Sequence, residues 1–125
     1  MKREIKFKAY RKSTQNVCDV LSIDFEKGWV LLDDGDEEDI PTVELMQYTG
    51  LHDKNGREIY EGDIVDFGLE NQDGKLVLAP VSYGEYIAGY VLDNGGNGIW
   101  QRLTKDCKVI GNIYENPDLL EAQHD

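Results

Sequence analysis

A chain of 125 residues is long enough for one domain or two very small lobes, and it needs no disulfide or metal staple to fold. With 40% hydrophobic and 30% charged residues it has the composition of a globular protein, which excludes intrinsic disorder. Thirteen basic against 25 acidic residues give a net charge of −12, which repels duplex nucleic acid unless a basic patch overcomes the field.

The charge is unevenly placed. Lys2, Arg3, Lys6, Lys8, Arg11 and Lys12 oppose only Glu4 at the start, which leaves −17 for the remainder. Met1-Lys2-Arg3-Glu4 leads into an alternating segment and not into the apolar core of a signal peptide. No apolar run approaches the ~18 residues of a membrane span, so a cytoplasmic protein without membrane contact is expected.

Ile5, Phe7 and Ala9 alternate with Lys6, Lys8 and Tyr10, the pattern of a strand with one buried and one solvated face. A second run follows at Val17, Asp19, Leu21, Ile23 and Phe25, and a third at Trp29-Val30-Leu31-Leu32 after the turn at Glu26-Lys27-Gly28. Together these three predict an antiparallel meander, with Phe7 and Trp29 mostly buried. Asp33-Asp34-Gly35-Asp36-Glu37-Glu38-Asp39 reads as a solvated loop that mutual repulsion holds open. Between Pro41 and Tyr48 two readings compete: alternation of Val43, Leu45 and Gln47 favours a strand, while Pro41 suits the first turn of a helix.

Farther along, Asn55-Gly56 predicts a type I turn closed by a left-handed glycine, joining two antiparallel strands. Gly62-Asp63 leads into Ile64-Val65, where glycine makes a bend and the aspartate bonds the turn backbone; Ile64 is expected in the core. Another turn falls at Asn71-Gln72-Asp73-Gly74. Leu76 to Val81 and Tyr86 to Leu92 read as a strand pair, with strands again near Trp100 and over Lys108–Tyr114. Asn116-Pro117-Asp118 has the form of a helix start and predicts one short helix from Pro117 to about Ala122.

Motifs that carry chemistry are scarce. Read as an EF-hand loop from Asp34, the acidic segment has Asp39 where the turn requires glycine and Leu45 where a bidentate glutamate belongs. The glycine-rich stretch Asp93 to Gly98 is followed by a strand, whereas a phosphate cradle needs a helix N-terminus there. His52 and His124 stand alone, and neither HExxH nor GxSxG occurs. Cys18 and Cys107 form no CxxC pair and are expected as buried thiols rather than a bridge. No cofactor, metal ligand or catalytic residue is therefore assigned. By the strand period, Tyr86, Ala88, Tyr90 and Leu92 share one face, and Trp100 lies across the next loop. Tyr86, Tyr90 and Trp100 make the candidate binding surface.

Two blocks carry a family resemblance. Glu44-Leu45-Met46-Gln47-Tyr48-Thr49-Gly50-Leu51 and Asp53-Lys54-Asn55-Gly56-Arg57-Glu58-Ile59-Tyr60-Glu61-Gly62-Asp63-Ile64-Val65 closely resemble the YopX-like proteins encoded by phages and prophages of Gram-positive bacteria. The stretches Arg3–Tyr10, Tyr90–Asn94 and Val109–Pro117 fit as well. The resemblance implies a bacterial host and an SH3-like barrel after an N-terminal β-rich segment, with no catalytic residues to carry over. The expected architecture is mainly β: residues 1–48 an N-terminal antiparallel segment, and residues 49–125 an SH3-like small barrel or roll with one short C-terminal helix. The expected function is that of a phage-derived accessory protein, a non-catalytic module binding a protein partner and not duplex nucleic acid. Two alternatives are an acidic decoy that mimics nucleic acid and a hydrolase with an unrecognised carboxylate pair.

Overall fold

A computed structural model describes residues 4–93 and 100–121, apart from the side chains of Tyr86 and Trp100. The chain divides into two compact units, Met1–Tyr48 and Thr49–Asp125.

In the first unit, β1 (Phe7–Arg11), β2 (Asn16–Asp24), β3 (Trp29–Leu32), β4 (Glu37–Asp39) and β5 (Val43–His52) are hydrogen-bonded in the order β4-β3-β2-β1-β5. These strands pair antiparallel, so the predicted meander is present and gains β4. Both readings of residues 41–48 hold in part. Pro41 sits in a single 3-10 turn, Ile40–Thr42, and the alternating residues after it form β5. The core of this unit is Ala9, Cys18, Val30, Leu32 and Val43. Phe7 and Trp29 are mostly covered, as expected, but lie outside this core cluster. Ile5 is 77% exposed, because it precedes β1 and has no neighbouring strand to cover it. Continued by the period of two, the face of Ala9 carries Arg11 to the inside, where it is 6% exposed.

β5 continues into the second unit, where β6 (Glu58–Tyr60) is its neighbour. The intervening turn is as expected: the Asp53 amide donates to Arg57 O at 2.8 Å, and Gly56 has φ +83°. Its sequence logic is plain, because Asp53 Oδ1 accepts from the Asn55 and Arg57 amides, both at 2.9 Å. A β-carbon at Gly56 would meet nothing within 4 Å, so only its left-handed backbone resists substitution. Gly56→Val is expected to cost about 1–2 kcal/mol in denaturant unfolding. An unchanged midpoint would remove the conformational argument.

Asp63 accepts from the Tyr60 amide at 2.8 Å and turns the chain into β7 (Asp63–Glu70). With β8 (Leu76–Gly84), β9 (Gly89–Asp93), β10 (Trp100–Arg102) and β11 (Lys108–Asn112) it forms an antiparallel sheet in the order β10-β9-β8-β7-β11. Ile59, Val65, Ala79, Val81, Leu92, Leu103, Cys107 and Val109 are its core, and Ile64 is fully buried.

The expected barrel is not closed; the sheet has β10 and β11 as edges. At β11 side chains do what a closing strand would do. The Val109 amide donates to Asp53 Oδ2 at 2.8 Å, and the Asn112 amide to Asn116 Oδ1 at 3.2 Å. Asn116 thus serves the strand as well as preceding the helix. Its approach explains Gly111, where a β-carbon would lie 2.6 Å from Asn116 Oδ1. Among the described residues one short α-helix, α1, spans Asp118–Glu121.

Candidate functional site

Three carboxylates converge on Arg11. Its Nε donates to Glu38 Oε1 at 2.9 Å, Nη1 to Asp34 Oδ2 at 2.7 Å and Nη2 to Asp36 Oδ2 at 2.8 Å. The segment expected to stand open is therefore folded down around a cation that β1 delivers from the core face. Backbone bonds lock the closed form: the Leu32 amide donates to Asp36 O at 2.9 Å, and the Asp36 amide to Asp34 Oδ1 at 2.9 Å. Asp36 and Glu38 raise the affinity of the guanidinium for its proton against the opposing effect of burial, with Asp34 adding to them. The Asp36 amide holds the Asp34 carboxyl below its ordinary value, opposed by burial and aided by Arg11. The guanidinium stands where the EF-hand comparison looked for a metal ion, and this cluster is structural.

On the other face of β1, Lys6 does not form an open basic stripe. Its ammonium pairs with Glu4 at 3.0 Å and lies 5.4 Å from the centroid of the Tyr48 ring.

The aromatic residues singled out in the sequence are distributed as follows. Tyr90 lies on β9, half-buried against the second core. Tyr86 falls in a 3-10 turn, Glu85–Ile87, and Ala88 after it is left-handed at φ 51°, so the expected strand from Tyr86 begins only at Gly89. Trp100 pairs in β10 with Asp93, three positions along β9 from Tyr90. Tyr86 and Trp100 therefore do not share one run of alternating positions with Tyr90, and their side chains lie outside the described residues. The partner that Tyr90 does have is Tyr83, opposite it on β8. The two rings meet edge to face, with centroids 5.7 Å apart and planes at 77°. Tyr83 falls between the two strands the sequence predicts, Leu76 to Val81 and Tyr86 to Leu92. Its signal was its parity with Val77, Ala79 and Val81: the core face of β8 runs on past the core and surfaces as a ring 48% exposed.

Among the described residues no group of three or more His, Cys, Asp or Glu is placed to hold a metal ion. His52 is exposed at the end of β5, and His124 lies outside the described residues. Cys18 and Cys107 are free and buried. Burial, then the charge of Asp53, pushes the Cys107 thiol up to about 11, and burial followed by Asp33 and Asp34 raises Cys18. Both are poor nucleophiles at neutral pH. No helix is long and apolar enough to cross a membrane among the described residues.

The class so defined is a mainly β protein, among the described residues two antiparallel sheets and one short helix, with an ionic lock in one unit and an aromatic rim on the other. The chain belongs to the YopX protein family, whose model matches residues 2–121. It is similar in fold to the crystal structure of protein EF1440 from Enterococcus faecalis, with a TM-score of 0.70 at 21% identity over 95% of this chain and 99% of that one. No curated protein matches the sequence.

Proposed function

We propose that this protein is a non-catalytic binding module of phage or prophage origin that engages a protein partner in the bacterial cytoplasm. The observation that carries the reading is the Tyr83–Tyr90 pair, one ring anchored against a core and the other presented to solvent. Rigid aromatic rings held this way offer large contact area at little entropic cost, as anchor residues of protein interfaces do. An SH3-like description of residues 49–125 is supported by a short hairpin and a Gly62-Asp63 bend leading into a five-stranded antiparallel sheet.

Affinity capture from a host lysate tests the proposal, with Tyr83→Ser beside Leu69→Ser, a substitution of another exposed apolar side chain. A discrete partner should be retained by the parent and by Leu69→Ser, and its affinity should fall about tenfold or more with Tyr83→Ser. Equal retention by all three, or turnover of a substrate panel by the purified protein, overturns the reading.

Duplex nucleic acid is a poor candidate for the partner. Lys6 is already committed to Glu4 and Tyr48, so the N-terminal strand has few contacts to offer phosphates. Fluorescence anisotropy with a labelled duplex should show no binding at micromolar protein in roughly 150 mM salt. Saturable binding that weakens on Lys8→Glu would contradict this.

A further inference from the structure

A second surface lies in the first unit, on the face of its sheet opposite the core. On β3, Val30 and Leu32 point inward and are fully buried, so Trp29 and Leu31 belong to the other face. Strand register fixes their neighbours. Trp29 stands between Asp24 of β2 and Asp39 of β4, and Leu31 between Ser22 and Glu37. Directly paired residues share a face with β-carbons about 4.5–5.5 Å apart, so Trp29 is flanked by a carboxylate on each side. Glu38, one residue away, faces inward to Arg11, which leaves Glu37 and Asp39 exposed at the sheet edge. Apolar surface continues beyond this row: Leu21, the extra residue where the β2–β3 register shifts, is 63% exposed, and Phe25 at the hairpin tip is 79% exposed.

An aromatic centre with carboxylates on both sides is complementary to a cation carried on an apolar stem. The same face of the sheet already holds one such cation internally, the Lys6 ammonium between the Tyr48 ring and Glu4. We infer that the Trp29 face docks a lysine- or arginine-bearing extended segment of a protein partner, its cation over the Trp29 ring and between Asp24 and Asp39, its apolar neighbours on Leu21 and Phe25. This surface is separate from the Tyr83–Tyr90 rim and stands whether or not that rim binds anything.

The probe is a fluorescein-labelled dodecapeptide of alternating lysine, arginine and glycine, titrated into the full chain by anisotropy. Saturable, salt-sensitive binding is expected, about tenfold weaker with Trp29→Ser. Because that variant removes a partly buried ring, Glu37→Gln with Asp39→Asn provides a second test at exposed positions and should weaken binding to a similar degree. Glu70→Gln with Asp73→Asn removes the same charge from the second unit and should leave affinity unchanged, as should Tyr83→Ser. In nitrogen–proton correlation spectra the Trp29 indole signal, identified by its loss in Trp29→Phe, should shift on titration. An equal fall for both charge pairs would reduce the effect to general acidity and overturn the inference. So would an unmoved indole signal, absence of saturable binding, or loss of binding with Tyr83→Ser.

Discussion

Replacing Asp53 by alanine is expected to destabilise the protein by about 2–4 kcal/mol, far more than its place in a surface turn would suggest. The carboxylate is 6% exposed and spends both oxygens on backbone amides: Oδ1 on Asn55 and Arg57 in its own turn, Oδ2 on Val109 in β11, 56 positions away in sequence. Removing it strands three donors, one of them in the buried edge of the sheet, and an unpaired buried donor costs more than a formed bond contributes. Asp53→Asn separates shape from charge. One of its two terminal atoms becomes an N–H₂ facing an N–H, so at least one connection is lost, and the variant should fall between the parent and Asp53→Ala. Amide exchange at Val109 should quicken in both variants.

The acid limb gives an independent check. Burial alone would raise the Asp53 carboxyl, but the Val109, Arg57 and Asn55 amides outweigh it and hold it below its ordinary value. A carboxyl lower in the folded than in the unfolded state contributes stability in full above its unfolded value, near pH 4, and loses it as pH falls through the folded value. The parent should therefore lose stability below about pH 4 more steeply than Asp53→Asn. Parallel curves for the two would show that the carboxylate charge is not what holds the turn.

Why the sequence disclosed some of this and hid the rest comes down to whether a signal is local. Asn55-Gly56 is a complete instruction, since a turn of that geometry needs a left-handed residue and glycine supplies it; likewise Gly62-Asp63 and Asn116-Pro117. The same reading could not show that Asp53 also reaches Val109, because nothing near position 53 refers to position 109. Edge closure by Asp53 was invisible for that reason, and a barrel was the natural completion of so many short strands. A register shift hid the Trp29 face. The extra residue at Leu21 changes parity along β2, so a period counted through it assigns the wrong side. Trp29 was expected to be mostly buried because it lies in a strong strand run, and within that run the core positions go to Val30 and Leu32. At the candidate site, alternation carried backwards from Tyr90 to Tyr86 ran through a 3-10 turn that no residue in Gly84-Glu85-Tyr86-Ile87-Ala88 announces, and it missed Tyr83.

Arg11 is the case in which the pattern was present and counting stopped too soon. Positions 7 and 9 lie on the inward face of β1, and the next position on it is 11. A cation there must be paired, and the acidic run after β3 supplies the charge. This makes a prediction with an unusual sign. In Arg11→Met the side chain keeps much of its length and apolar packing, but Asp34, Asp36 and Glu38 are left converging on each other with no cation between them. At pH 7 the melting temperature should fall by roughly 5–10 °C, as expected when the buried cation of a part-exposed charge network is removed and its carboxylates are left to repel. The pH dependence should then reverse. In the parent, the lowered Asp34 carboxyl contributes stability above its unfolded value and loses it as pH falls, so acid destabilises. In the variant, mutual repulsion raises the carboxyls above their unfolded values; protonation relieves it, and the melting temperature should rise between pH 7 and pH 5 while that of the parent stays flat. Adding Asp34→Asn, Asp36→Asn and Glu38→Gln to Arg11→Met removes the repulsion at its source and should restore most of the loss at pH 7. Calorimetry of the parent, the single variant and the fourfold variant across this range decides the matter. A single variant whose melting temperature follows the parent at every pH would mean that the loop is held by its backbone bonds and not by Arg11.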